Sequence, residues 1–131
     1  MDKSLRWIAV VPSAMLAWCI AFVVSLYALG MAERFLCPAD LLSSSGCYTP
    51  WWSSVEQSAA ALGAALAAFL VVLVATFVAP SHRRRVAWYS YAVGAFFAVL
   101  IGFWTHFLVE MATTLLAGAV TAAVISRKLK A

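Results

Sequence analysis

The chain has 131 residues, 66% of them hydrophobic and only 11% charged, and its mean hydropathy is +0.97. That composition excludes an ordinary soluble domain and leaves no room for a second one; it predicts an integral membrane protein with about four spans of roughly 20 residues each. The formal net charge of +4 is read in this setting as an orientation signal and not as a nucleic-acid-binding surface.

The first predicted span covers residues 7–29. Lys3 and Arg6 precede it, and Ala28 and Gly30 resemble a signal-peptidase site. The apolar region nevertheless exceeds the 7–15 residues usual for a signal peptide, so a permanent helix is expected. Within it Cys19 is read as a small buried apolar residue.

An outer loop, residues 30–54, follows and carries Cys37 and Cys47 with Pro38, Gly46 and Pro50 as turn formers. The two cysteines are expected to be bridged, closing a loop of about ten residues and contributing roughly 2–3 kcal/mol on the chain-entropy model. A zinc site would need a second ligand pair, and thiol oxidoreductase chemistry a close C-x-x-C pair with further cysteines; neither is present.

The second span, 55–79, opens with Ser53 and Glu56 in capping-box spacing and stops before Pro80. From Val86 to Ile125 the sequence is again apolar, and as one helix this tract would run about 60 Å, twice the hydrocarbon thickness. It must turn back at its polar interruption, Thr105 to Glu110. Spans of 86–104 and 109–125 result.

Four spans with both termini cytoplasmic put Lys3, Arg6, Arg83, Arg84, Arg85, Arg127, Lys128 and Lys130 on one side, eight of the nine basic residues, leaving Arg34 outside. Cytoplasmic segments of inner-membrane proteins are enriched in this way, so a bacterial-type inner membrane is expected. Interfacial aromatics agree, with Trp18 the exception: Trp7, Trp88, Tyr89 and Tyr91 fall at the inner level, and Tyr27, Tyr48, Trp51, Trp52 and Trp104 at the outer. Arg83, Arg84 and Arg85 are also candidates to contact anionic lipid or an acidic partner surface.

Small residues four apart let helices approach closely in lipid. Ala17 and Ala21, Gly63, Gly94 and Gly102, and Gly118 mark such faces on the four helices in turn. Phe69, Phe96, Phe97, Phe103 and Leu116 lie off them, as lipid-facing or wedge positions would.

His106 and Glu110 are the one candidate polar site. Read plainly they form a hydrated turn and a helix start, with Glu110 favoured by the helix N-terminus. Read sharply they are a proton relay or metal-ligand pair, but a lone His and Glu four apart is a weak pattern, and the plain reading is preferred. The expectation is therefore an all-α, single-domain bundle of four transmembrane helices over residues 1–131. It acts through helix–helix contacts as an accessory or assembly subunit, partnered by lipid and by other membrane subunits or itself, without catalytic residues, metal, cofactor or nucleic acid. A small homo-oligomeric channel or transporter is the alternative, and an enzyme using His106 and Glu110 is less favoured.

Overall fold

Helix α1 spans Lys3–Leu36, 34 residues, in the computed structural model, which describes residues 3–44 and 46–129 apart from the side chains of Lys3, Ser4 and Arg6. The charges expected on Lys3, Arg6 and Lys130 thus lie outside the described residues. The helix continues through residues 30–36, where a loop was expected. Gly30 alone does not end a helix, and Met31 to Leu36 contain no further breaker; Pro38 does, because it disfavours helical backbone at Cys37.

After α1 comes a short antiparallel hairpin, β1 (Leu42–Ser43) and β2 (Gly46–Cys47), with Leu42 opposite Cys47 and Ser43 opposite Gly46. Gly46 has φ +124°, which only glycine adopts freely, and a β-carbon there would sit 3.3 Å from Oε1 of Glu33 on α1. The hairpin is thus seated against the end of α1.

Helix α2 spans Trp52–Val78, starting earlier than the capping-box reading placed it. Pro50 sits in a turn closed by the Trp52 amide donating to the Thr49 carbonyl at 3.1 Å, and the helix runs directly out of it. Trp51 is the N-cap and makes no side-chain capping bond. Ser53 and Glu56 therefore lie within the helix, and Glu56 instead accepts a 2.9 Å hydrogen bond from the Trp52 indole.

Helices α3 (Arg83–Thr105) and α4 (Leu108–Lys128) complete the chain, and the break between them falls inside the interval predicted for it. Both tight connections hold a histidine in left-handed backbone: His82 at φ 52° before α3 and His106 at φ 59° after it. Histidine is among the non-glycine residues enriched in that region.

Helix α2 is the central element. Helices α1, α3 and α4 all pack on it and α3 packs on α4, whereas α1 has no extended contact with α3 or α4. Among the described residues two small clusters form the core. Val72, Ala87 and Ala122 meet under Tyr91 and Ile125; Ala75, Ala79 and Val86 meet under Val10 and Ala14. Ala17 and Ala21 are buried where α1 lies on α2.

Three of the glycines marked in the sequence seat a neighbouring side chain. A β-carbon on Gly63 would come within 2.6 Å of Ser25 Oγ, one on Gly102 within 2.8 Å of Met111 Cβ, and one on Gly118 within 2.8 Å of Tyr91 Cδ2. Close helix approach of this kind is how packing is gained where the surroundings are as apolar as the helices.

Gly94 departs from the pattern: it is exposed, and no side chain and no backbone of another element lies within 4 Å of where a β-carbon would stand, the latter being also the case at Gly30 on α1. Spacing alone did not reveal that α3 has no neighbour there. Cys19, expected to be buried, is exposed on α1, because only the Ala17 and Ala21 side of that helix is covered by α2. Phe69, Phe96, Phe97, Phe103 and Leu116 are exposed as expected.

All four helices are long and apolar enough to cross a membrane. The chain is an all-α, multi-pass membrane protein. Its buried hydroxyls are satisfied within their own helices: Thr76 donates to the Val72 carbonyl at 2.6 Å, Thr121 to Ala117 at 2.7 Å and Ser126 to Ala123 at 2.9 Å.

Candidate functional site

Helix direction alternates along the chain, which sorts the polar residues to two ends of the bundle. At one end lie the hairpin, the start of α2 and the α3–α4 turn, with Glu33, Asp40, Glu56 and Glu110. At the other lie the α2–α3 turn and the last turn of α4, with Arg83, Arg84, Arg85, Arg127 and Lys128.

At the hairpin end the candidate pair is not brought together. His106 caps the C-terminus of α3 in left-handed backbone, so the four-residue spacing to Glu110 crosses a helix break and the two do not share a helical face. His106 is exposed and Glu110 half-buried in the first turn of α4. No hydrogen bond or ion pair joins them among the described residues.

The Glu110 backbone carbonyl accepts from the hydroxyls of Thr113 at 3.0 Å and Thr114 at 2.7 Å. Its carboxylate Oε2, however, is buried without a hydrogen-bond partner. A buried acceptor lacking a donor costs free energy, and most such groups in folded proteins are satisfied. Chemically it can accept a hydrogen bond or ion pair from a group brought by another molecule.

Cys37 and Cys47 are bridged, with their α-carbons 5.9 Å apart, which ties the end of α1 to strand β2. Beside the bridge is a shallow depression of about 390 Å³ walled by Cys47, Thr49, Trp52 and Glu56. Glu56, expected from its spacing to Ser53 to cap the helix start, is instead bonded to Trp52. The signal was present, since positions four apart on a helix face each other.

At the arginine end, Arg83, Arg84 and Arg85 form the exposed first turn of α3. Arg83 Nε donates to the Ala79 carbonyl at 3.3 Å, closing the end of α2. Arg84 and Arg85 instead border a groove in which Trp88 meets Tyr91 edge-on, ring centroids 5.9 Å apart.

Among the described residues no three His, Cys, Asp or Glu side chains are grouped so as to hold a metal ion. Cys19 is the free thiol among them and stands alone on α1. No protein-family model matches the chain, and no curated protein or solved structure matches it.

Proposed function

We propose that the protein is a small accessory or assembly subunit that acts through helix–helix contacts within a larger membrane complex. The observation that carries this reading is Gly94. A glycine inside a helix costs about 1 kcal/mol relative to alanine, and Gly63, Gly102 and Gly118 offset that cost by admitting a neighbour of the same chain. Gly94 lies midway along α3, between half-buried Ser90 and Ala98, and admits nothing. A helix from another chain is the occupant that gives such a position a use. Orphaned Glu110 Oε2 is a second group that a partner would satisfy.

The reading includes a bacterial-type inner membrane with both termini cytoplasmic, which rests on eight of nine basic residues falling to one side of four spans. A pore within one chain is disfavoured because the buried hydroxyls are turned back onto their own helices. A homo-oligomeric channel or transporter is the second reading; Glu110 favours it, because symmetric copies would gather its unpartnered oxygens around one axis.

Native mass measurement of the gently solubilised chain tests the proposal. A hetero-complex that Gly94→Leu disperses, with the chain still helical, is the expected result. A discrete homo-oligomer shifts the reading to transport, and a monomer under all conditions overturns both.

A further inference from the structure

We propose that Arg84 and Arg85, together with the groove beside them, form a binding site for the headgroup phosphate of an anionic phospholipid. The groove has a volume of about 640 Å³ and is lined by Arg84, Arg85, Trp88, Tyr89, Tyr91 and Ala92. All six lie on the first three turns of α3, at the end of a membrane-spanning helix, where a phospholipid headgroup resides.

The two guanidiniums have no hydrogen-bond or ion-pair partner among the described residues, and the described carboxylates all belong to the other end of the bundle. Arg83 differs, since its guanidinium is already engaged with the Ala79 carbonyl. Arginine presents a planar fork that matches phosphate oxygens two at a time. Arg127 and Lys128, in the last turn of α4, add positive potential at the same end.

The walls suit a lipid better than a free anion. Tyr91 is held in place by its packing on Gly118 and by its edge contact with Trp88, so the groove is preformed. Trp88 and Tyr89 are exposed aromatics of the type that sits at headgroup level. Beyond Ala92 the same helix presents exposed Val93, Phe96 and Leu100, an apolar track for an acyl chain. A free phosphate uses the arginines and gains nothing from this track, whereas a phospholipid uses both.

Native mass spectrometry of the full chain in detergent, with phosphatidylglycerol and phosphatidylcholine of identical acyl chains added in equal amount, tests the proposal. Phosphatidylglycerol adducts are expected to dominate, and the preference to fall roughly ten-fold or more in Arg84→Gln/Arg85→Gln, while Arg83→Gln retains it. Ala92→Trp fills the groove without altering charge and is expected to weaken the adduct as well. Circular dichroism in the same detergent checks each fold; if the double arginine variant does not fold, the unmodified protein and Ala92→Trp decide. Equal retention of the two lipids, an unchanged preference in the folded variants, or displacement of phosphatidylglycerol by millimolar glycerol phosphate overturns the proposal, the last by assigning the arginines to a free phosphate ester.

Discussion

Tyr91 packs so closely on Gly118 that a β-carbon added to the glycine would lie 2.8 Å from the ring Cδ2 and 3.1 Å from Cε2. The contact joins α3 to α4 beside the cluster of Val72, Ala87 and Ala122, so the aromatic ring is both a core residue and a wall of the arginine-end groove. Gly118→Leu is expected to lower stability by about 2 kcal/mol, the usual cost of overpacking. Tyr91→Ala made in the same chain should return part of that loss, because the space opened accepts the new side chain. Thermal unfolding in detergent, followed by circular dichroism, gives the double-mutant cycle. If the double variant is less stable than the two single effects added together, the contact does not limit this site.

The bridge between Cys37 and Cys47 fixes the hairpin to the end of α1. Denatured, unreduced protein should yield one reactive thiol, that of Cys19, and three after reduction. Replacing both bridged cysteines with serine is expected to cost about 2–3 kcal/mol and to loosen the hairpin before the helices. Three thiols before reduction would refute the bridge, and a double-serine variant of unaltered stability would leave it without the stabilising role.

Trp52 is only 4% exposed, and its indole nitrogen donates to Glu56. Glu56→Ala leaves that buried donor without an acceptor and should cost about 1 kcal/mol, while Glu56→Gln keeps an oxygen in place and should cost little. Comparing the two unfolding midpoints separates this bond from a helix-start charge effect, which predicts the same loss for both substitutions.

The spans were legible because a membrane helix carries its length and hydropathy in its own residues, and the bridge because two cysteines ten apart flank turn formers. What packs on what was not legible. Gly94 and Gly102 have the same small-residue spacing, yet Met111 covers Gly102 and nothing covers Gly94; the difference lies in where α4 runs, which the sequence of α3 does not contain. Cys19 was misplaced for the same reason, since α1 has its one extended contact with α2 and Cys19 lies off that face. At the candidate site the spacing of His106 and Glu110 suggested one helical face, but a spacing argument holds only inside a continuous helix. The left-handed backbone of His106 ends α3 between them.

That backbone gives a prediction of its own. With φ 59°, His106 occupies a region where β-branched residues are strongly disfavoured. His106→Val is expected to destabilise the α3–α4 connection by about 1–2 kcal/mol, and His106→Gly to be neutral within about 1 kcal/mol, as relief of strain is offset by the freer unfolded chain. Equal unfolding midpoints for the two variants would show that the imidazole, and not the backbone, is what the position requires.

Glu110 separates a residue that holds this chain together from one that holds it to something else. Its Oε2 is buried without a donor, so within the isolated chain one oxygen of the half-buried carboxylate is desolvated without compensation. Glu110→Leu removes the polar group while keeping the bulk and should raise the unfolding midpoint of the solubilised chain, by an amount equivalent to about 1 kcal/mol. If a partner supplies the missing donor, the same substitution weakens the native complex, and stability and assembly then move in opposite directions in one variant. Glu110→Gln, which retains an acceptor oxygen, should assemble better than Glu110→Leu. A fall in the stability of the isolated chain with Glu110→Leu would mean that the carboxylate is satisfied internally, and Glu110 would then be a structural residue of the α4 start with no part in recognition.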